Sequence, residues 1–512
     1  MRRIVTDITG SAHFELDNPT SRFNPVFSPD KQYVAYVREN RLVVMSTVSG
    51  QVRELSRFQH SAGTIQAYTW SPNSQYLAYI GDTEIESDQV VNVVNVDGSS
   101  HTQVNPTVAG ASMKVELHFS PASDSLIYQS NEMDTASNIY EGFVVRIDGT
   151  EHRRFTGTIS SDAISVRRFA WSPDGRYIAY TVRDSQRQSG FTGIGINTHD
   201  TTIGGRNSVR VSHDFSTHSE AVTIDKVVWS PNSNLLAYSL QVYRPAENGL
   251  SAANSSLRRL FTASPGVSGS SAETINGPMN INVEVGEWAW APNGNYVAYE
   301  VVMLTEVASG VIRQDEGINT YDVVQGGNGD SNSVRISETT GGPLGQGVKT
   351  VDGMIWTSDS EHILYLAYIE KSNTKELYRS EPHSSENSTL LSLDVGISVQ
   401  DDVDSFRLAP DGEQVAYAQR IDGVNSPYQV YLSDVLNSFD DIQLSSEPIS
   451  GGQLSAPSIL WSSQSTRVAY NADAAVVGQA ELYVAPNDGS GSRKVSETLE
   501  SDEYVFDFRF ID

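Results

Sequence analysis

The chain has 512 residues, and 35 Lys and Arg against 63 Asp and Glu give a net charge of −28 at pH 7. So negative a chain disfavours nucleic acid and anionic membranes as partners, because phosphate binding needs a basic field. The absence of Cys excludes disulfides, thiolate metal sites and cysteine nucleophiles, and no apolar run approaches the roughly 18 residues of a membrane span.

The first ten residues carry a basic pair at Arg2 and Arg3 with no apolar stretch behind it. A secretion signal needs such a stretch, so we expect no signal peptide in this chain. Residues 3–6 have the composition of an outer strand.

From Phe27 onward one phrase returns, and its clearest copy, residues 171–180, reads Trp-Ser-Pro-Asp-Gly-Arg-Tyr-Ile-Ala-Tyr. The copies open at Phe27, Trp70, Phe119, Trp171, Trp229, Trp290, Trp356, Leu408 and Trp461. A Tyr follows at the same distance after every opening, at Tyr36, Tyr79, Tyr128, Tyr180, Tyr238, Tyr299, Tyr365, Tyr417 and Tyr470. Internal periodicity of this kind indicates a repeat architecture.

Each phrase predicts a β-hairpin. Pro presets φ at the second turn position, Asp accepts a local backbone bond, and Gly tolerates a left-handed exit. The apolar-rich residues 222–229 are typical of a mostly buried strand before the turn. Period two then places Ile178 and Tyr180 on one face of the second strand and Tyr177 and Ala179 on the other.

Two further strands are predicted in each unit, as in residues 90–94 and 102–104, which flank an Asn-Val-Asp-Gly turn. Four short antiparallel strands make one propeller blade, and a lone blade cannot bury both of its faces. The predicted fold class is therefore all-β. We expect one domain over residues 1–512, a single large β-propeller of about nine four-stranded antiparallel blades, with eight to ten possible.

The repeated Trp-Ser-Pro-Asp-Gly-x-x-Ile-Ala-Tyr phrase resembles the repeat of TolB-type β-propellers, and the resemblance covers nearly the whole chain. The same repeat is found in the propeller domains of prolyl-oligopeptidase-like peptidases and in some pectin-fragment lyases. For this chain the resemblance implies a propeller fold and a periplasmic or extracellular location. It leaves function open, because one fold serves many activities.

Two arrangements of the blades are compatible with the repeat. A single wide ring would take closing strands from both termini, using residues 3–6 and 505–510, and two smaller rings would each need a boundary. We favour the single ring because no linker is visible.

The three longest units are consecutive and open at Trp171, Trp229 and Trp290. Loops on rigid scaffolds often carry function, so residues 183–222, 241–282 and 303–350 predict a protein-partner surface. Two of these units share an apparent insert. It reads Gly-Ile-Asn-Thr-His-Asp at 195–200 and Gly-Ile-Asn-Thr-Tyr-Asp at 317–322, and each copy precedes an Asn-Ser-Val-Arg, at 207–210 and 332–335. Drifted blade decoration is the alternative interpretation.

Candidate chemistry is sparse. His213, Asp214 and His218 would need a further ligand to bind Zn or Mn, and the acidic runs at 401–404 and 440–441 lack the spacing of a Ca²⁺ loop. These groups are expected to be solvated. The Gly-rich run at 326–330 could cradle an ion, but as a flexible turn it needs none. No nucleophile elbow, zinc-protease helix motif or phosphate loop is present. We therefore assign no catalytic, cofactor-binding or metal-binding residues and no cofactor.

The function expected from these observations is that of a non-catalytic propeller, a protein-interaction platform or a subunit of a larger extracytoplasmic or cell-surface assembly. One alternative is a propeller-based carbohydrate lyase or hydrolase with a metal on the top face of the ring. Another is a glycan-binding propeller, for which Phe191 and Tyr243 are the candidate loop aromatics.

Overall fold

The computed structural model describes most of the chain. The described residues are 4–6, 13–15, 24–57, 63–82, 89–136, 139–156, 164–184, 195–202, 207–213, 221–243, 256–269, 272–276, 283–306, 312–326, 332–337, 353–368, 375–385, 388–393, 402–421, 426–437, 441–445, 458–472 and 480–496. They contain strands and turns and no α-helix.

Five four-stranded antiparallel sheets occupy the first part of the chain. Sheet 1 is β3 (Val26–Phe27), β4 (Tyr33–Arg38), β5 (Arg41–Ser46) and β6 (Val52–Glu54); sheet 2 is β7 (Ile65–Trp70), β8 (Tyr76–Asp82), β9 (Gln89–Asn95) and β10 (His101–Gln103). Sheet 3 is β11 (Met113–Phe119), β12 (Ser125–Ser130), β13 (Glu141–Arg146) and β14 (Arg153–Arg154); sheet 4 is β15 (Ile164–Trp171), β16 (Tyr177–Asp184), β17 (Gly195–Asp200) and β18 (Val209–Arg210). Sheet 5 is β19 (Ala221–Trp229), β20 (Leu236–Tyr243), β21 (Ser256–Ala263) and β22 (Glu273–Thr274).

Four more sheets of the same kind follow. Sheet 6 is β23 (Val283–Trp290), β24 (Tyr296–Glu306), β25 (Ile312–Asp322) and β26 (Ser333–Arg335); sheet 7 is β27 (Ile355–Trp356), β28 (Ile363–Tyr368), β29 (Lys375–Ser380) and β30 (Ser388–Leu390). Sheet 8 is β31 (Asp402–Leu408), β32 (Gln414–Arg420), β33 (Tyr428–Asp434) and β34 (Ile442–Gln443); sheet 9 is β35 (Ile459–Trp461), β36 (Arg467–Ala472), β37 (Glu481–Pro486) and β38 (Arg493–Lys494).

In every one of these sheets the four strands lie side by side in chain order, which is the blade pattern of a propeller. The predicted all-β fold class with four-stranded antiparallel blades is confirmed. Backbone contacts divide the chain into two units: residues 1–5, 14–256 and 260–273, and residues 6–13, 257–259 and 274–512. The prediction of one domain over residues 1–512 stays a prediction.

The expected contribution of the N-terminus to a blade is wrong. The strand β1 (Ile4–Thr6) pairs with β2 (His13–Glu15) in a separate two-stranded sheet, whereas sheet 1 already has its own outer strand, β6. The predicted inner strand at 505–510 lies outside the described residues.

The predicted hairpin turns and strand faces are confirmed in sheet 4. Gly175 has a φ of 73° at the exit of the turn, where a left-handed backbone suits a residue without Cβ. Ile178 and Tyr180 pack in one hydrophobic cluster, and Ala179 and Tyr177 pack in another. Each β16 side-chain row therefore faces a different neighbouring sheet.

The repeat phrase also joins several neighbouring sheets within each of the two compact units. A Trp indole N–H donates to the carbonyl just before the opening residue of the preceding unit; the bonds are Trp70 to Val26 (3.0 Å), Trp171 to His118 (3.4 Å), Trp229 to Ala170 (3.1 Å), Trp356 to Ala289 (3.3 Å) and Trp461 to Arg407 (2.8 Å). A turn N–H donates to the turn Ser Oγ of the following unit; the bonds are Asp30 to Ser74, Asn73 to Ser123, Asp174 to Ser233, Asn293 to Ser360 and Asp411 to Ser465, all 3.0–3.1 Å.

The recurring Tyr is a core residue in all nine sheets, with at most 3% of its surface exposed. In five sheets its hydroxyl bonds a side chain at or just before the outer strand: Tyr79 to His101, Tyr128 to His152, Tyr299 to Ser333, Tyr365 to Ser388 and Tyr417 to Asp441. Burial raises the pKa of Tyr79 to about 12, which keeps the phenol protonated at ordinary pH. These residues therefore tie the second strand to the fourth.

Candidate functional site

Two β-bulges face each other between sheets 4 and 5. In β15 the register with β16 shifts between Arg167 and Phe169, so that Arg168 is the extra residue. In β19 it shifts between Ile224 and Lys226. Bulges re-aim side chains and are common next to active sites.

The two bulges are bonded to one another. The Arg168 guanidinium donates to the carbonyl of Asp225 and, at 3.5 Å, to that of Ile224. Arg168 has a φ of 53°, a conformation that costs a non-glycine residue energy and that clusters at ligand sites. On the other side, the Ser239 hydroxyl donates to Asp225 Oδ2 at 3.1 Å. The side chains at this junction are thus held in place by neighbouring strands.

A cavity of about 230 Å³ opens between these strands. Each of the three strands supplies three consecutive lining residues: Arg168, Phe169 and Ala170 from β15, Ala179, Tyr180 and Thr181 from β16, and Asp225, Lys226 and Val227 from β19. Pockets for drug-sized ligands hold about 300–1,000 Å³. This cavity therefore suits one small ring or one charged group of a longer molecule.

The lining has a positive edge. Phe169 and Tyr180 pack their rings on the sheet-3 side of sheet 4, whereas Arg168 is exposed and Lys226 is half-buried. Two cations against the single carboxylate of Asp225 make this a locally positive place on a chain with a net charge of −28. Such an arrangement can hold an anionic group by charge-assisted hydrogen bonds.

The histidine pair considered from the sequence does not form a site among the described residues. His213 packs its ring edge-on against Phe261, with 5.5 Å between ring centroids. Asp214, His218 and Phe191 lie outside the described residues, and Tyr243 ends β20. Within the described part of the chain, no group of three or more His, Asp or Glu side chains is arranged to hold a metal ion.

The expectation that the acidic runs are solvated is wrong for two of their residues. Asp402 accepts the backbone N–H of Lys375 at 3.1 Å, and its other oxygen lies 3.8 Å from Lys375 Nζ. Burial raises the pKa of Asp402, and the Lys375 charge opposes that rise. Asp441 accepts the Tyr417 hydroxyl at 2.9 Å. These two carboxylates are structural partners of buried groups.

The expected loops of the long units are partly strands. Residues 195–200 form the whole of β17, and residues 317–322 end β25. β24 and β25 pair without a break from Tyr296 opposite Asp322 to Glu306 opposite Ile312, so much of 303–322 belongs to the sheet. The prediction of inserted loops is wrong for these residues. Their strand was not recognised because the motif is polar and lacks the apolar alternation typical of a strand. A protein-partner surface in these units stays a prediction.

One cluster in sheet 3 resembles an acid–base triad. Tyr128 donates to Glu132 at 3.2 Å and shares a 2.5 Å hydrogen bond with His152, whose Nε2 lies 3.0 Å from Glu132. Tyr128, however, has no exposed surface, and equivalent hydroxyl bonds recur in four other sheets. We interpret the cluster as a reinforced version of the structural tie.

No family model matches the chain, and no curated protein matches it. Among solved structures of similar fold, one from a study of two prolyl endopeptidases is 11% identical, with a TM-score of 0.36, and the match covers 78% of this chain and 54% of that one. Dipeptidyl peptidase 4 of Porphyromonas gingivalis is 12% identical, with a TM-score of 0.47 and coverages of 92% and 59%. A putative TolB of Agrobacterium tumefaciens is 15% identical, with a TM-score of 0.30 and coverages of 54% and 88%.

These structural similarities concern the fold alone. They agree with a β-propeller, which is the more general part of the resemblance to TolB-type propellers. The chain spans somewhat more than half the length of the two peptidase structures. Both are peptidases, which contradicts the main functional expectation of a non-catalytic interaction platform. No helix in the described residues is long and apolar enough to cross a membrane.

The cavity residues were missed from the sequence. Arg167 and Arg168 interrupt an otherwise apolar strand just before Phe169, and this basic pair was the available signal. A bulge depends on pairing with another strand, so its position was not readable from one segment.

Proposed function

We propose that this chain is a carbohydrate-cleaving propeller, a lyase or a hydrolase, whose cavity between sheets 4 and 5 binds an acidic sugar unit. The observation that carries the proposal is the cavity itself, with Arg168 and Lys226 at its edge. Support for carbohydrate comes from the resemblance of the repeat phrase to that of pectin-fragment lyases.

The lining residues suit separate roles. Arg168, anchored through its guanidinium to the facing bulge, would hold the sugar carboxylate. Lys226 belongs to the side-chain types that transfer protons in catalysis. Asp225 is the one lining carboxylate, whereas glycosidases commonly use two. Elimination is therefore favoured over two-carboxylate hydrolysis, and the proposal includes no metal.

The test compares a uronate-containing oligosaccharide with the same oligosaccharide after reduction of its carboxyl groups. We expect binding and cleavage of the acidic form only. Elimination would create an unsaturated product that absorbs ultraviolet light, and hydrolysis would release reducing ends without that absorbance.

Arg168→Gln should weaken binding about tenfold or more, since hydrogen bonds to charged groups contribute about 1.5–3 kcal/mol. Lys226→Gln should slow cleavage about 100-fold or more if Lys226 transfers a proton. The matched control is Arg167→Gln, which removes an exposed neighbouring cation that does not line the cavity. Equal binding of the acidic and reduced sugars, or equal effects of the two Arg variants, would contradict the proposal.

The resemblance of the repeat phrase also supports membership of the TolB-type propellers and a periplasmic or extracellular location. Fractionation of the native source, with antibody detection of the chain, tests the location. Recovery in the cytoplasmic fraction alone would exclude it.

A further inference from the structure

A third bulge lies in the first strand of sheet 3, which neighbours the first strand of sheet 4. The pairing of β11 with β12 shifts between Met113 and Leu117, so that Lys114 lies in the irregular stretch. Met113 pairs with the residue two positions after the recurring Tyr of sheet 3, and Arg167 pairs with the residue one position after that of sheet 4. The bulges of the two sheets therefore occupy the same half of their first strands.

One glutamine side chain connects this bulge to the strand that carries Arg168. Gln129 on β12 is buried, and its Nε2 donates to the carbonyl of Val166 on β15 at 2.6 Å and to that of Tyr140 at 3.4 Å. Tyr140 directly precedes β13, and Val166 lies two residues before Arg168. Sheets 3 and 4 are thus bonded to each other at the level of their bulges, as sheets 4 and 5 are through Arg168.

The ammonium group of Lys114 is held in place by an aromatic ring. Its Nζ lies 3.9 Å from the centroid of the Tyr140 ring, which is a cation–π contact, and Tyr140 Oη shares a 2.5 Å hydrogen bond with Ser112 Oγ. Lys114 is exposed, and its ammonium makes no ion pair with any of the described residues. The charge is therefore fixed in position and still open to a ligand.

The guanidinium of Arg168 is held in the same manner, since within the described part of the chain it donates to carbonyl groups alone. Other cations of sheets 3 and 4 are instead paired with carboxylates: Arg146 with Glu151, Arg154 with Glu141 and Arg176 with Asp200. A cation that neutral groups hold in place keeps its charge for an anion. Because its side chain is already ordered, a ligand also loses less entropy on binding to it.

The carboxylates of these bulges are turned to other contacts. Glu116, in the β11 bulge, is half-buried and has one oxygen enclosed by the protein, and Asp225, in the β19 bulge, accepts the Ser239 hydroxyl. The two exposed cations thus remain the charges that an anionic chain would meet along these first strands.

We propose that Lys114 is a second carboxylate subsite, and that the ligand is a chain of several uronate units lying across the first strands of sheets 3 and 4. Sheets that face each other lie about 10 Å apart, so a single sugar unit does not span from Arg168 to Lys114, whereas two carboxylates of one chain do. The inference rests on the proposed function and extends its ligand from one acidic sugar unit to a polymer. Tyr140 acts through Lys114, as a positioning residue.

The experiment measures dissociation constants for uronate oligosaccharides of increasing length. In the wild type the affinity should rise about fivefold to tenfold once the chain reaches Lys114 and should then level off, as expected for one added charge-assisted contact at an exposed site. Lys114→Gln should remove this gain, so that long chains bind no more tightly than the shortest chain that binds. Arg168→Gln should weaken the binding of every length, because every chain uses the cavity.

Three further variants make the result specific. Lys114→Arg keeps the charge and should keep the gain with chain length. Tyr140→Leu removes the ring under Lys114 and should weaken the longer chains by about twofold to fivefold relative to the shortest. Arg146→Gln removes a cation from the far end of β13 and should bind every length as the wild type does.

The outcomes separate this inference from the proposed function. An affinity that does not depend on chain length, or equal losses at every length in Lys114→Gln and Arg146→Gln, would overturn the second subsite. If Arg168→Gln still weakened binding in that case, the proposed function would stand. An absence of binding at every length would overturn both.

Discussion

The motif Gly-Ile-Asn-Thr-x-Asp occurs twice, as β17 in sheet 4 and at the end of β25 in sheet 6. The two copies use their Thr in the same way. Thr198 Oγ1 accepts the backbone N–H of Gly266 at 2.9 Å, and Thr320 Oγ1 accepts that of His383 at 3.2 Å. Each donor has a positive φ, of 71° and 59°.

The copies differ at the fifth position, where His199 stands in one and Tyr321 in the other. Both side chains are buried, so the burial of the position is common to the two copies, and a group that can gain a proton in mild acid, the imidazole, is particular to one. A fold that accepts Tyr here does not require His. His199 is therefore not needed to pack this motif into its sheet, and its presence indicates that the position serves another purpose.

The largest effect should come from emptying the shared position. Tyr321→Ala removes a ring with no exposed surface and should lower the free energy of unfolding by about 3–5 kcal/mol, as other large-to-small aromatic changes do. Thermal and denaturant unfolding measure it. A loss under about 1 kcal/mol would mean that the ring is not part of the core.

Tyr321→His sharpens the comparison by transferring the titratable group to the second copy. Burial should disfavour its protonated form, so this variant should lose about 1–3 kcal/mol more stability than the wild type between pH 7 and pH 4.5. Tyr321→Phe is the matched control without a titratable ring. An acid response equal to that of the control would show that burial at this position does not oppose protonation.

Thr198→Val and Thr320→Val test the shared part of the motif. Each change keeps the side-chain shape and leaves a backbone N–H without its acceptor, at a cost of about 1–3 kcal/mol. We expect similar losses in the two copies, measured by chemical denaturation. A large loss for one and none for the other would end the claim that the copies dock alike.

The smallest effect is expected at the last position. Asp200→Asn removes the ion pair with Arg176, whose side chain is 52% exposed, and an exposed pair contributes at most about 1 kcal/mol. Asn can still accept the Thr202 N–H, now bonded to Asp200 Oδ1 at 3.0 Å. A double-mutant cycle with Arg176→Gln isolates the pair, and a coupling well above 1 kcal/mol would contradict this estimate.

The sequence was informative where the interactions that determine a feature lie within one short segment. The Pro-Asp-Gly turn, the alternating faces of residues 177–180 and the buried Tyr all follow from local rules, and the structure has them. Blade number followed by counting, because each phrase makes one hairpin.

The sequence was misleading where a residue depends on a distant partner. Residues 195–200 looked like a loop because Thr198 and His199 are polar, yet both are buried. Asp402 was expected to be solvated, whereas in the structure it lies beside Lys375. The cavity needed two bulges in separate sheets, and nothing within either strand determines that they meet.

The hydrogen bonds from a turn N–H to the Ser hydroxyl of the next turn are joints between neighbouring sheets, and they bear on how such a chain can evolve. Each joint uses one main-chain N–H of a turn and the hydroxyl of a Ser in the next turn, and that Ser stands where the clearest copy of the phrase has Gly175. A copied unit that carries this Ser therefore brings its own connector and needs no matching substitution in its neighbour. Gain or loss of a whole unit by recombination should be tolerated more readily than a change within a joint, and the two copies of Gly-Ile-Asn-Thr are what such copying would leave in a descendant sequence.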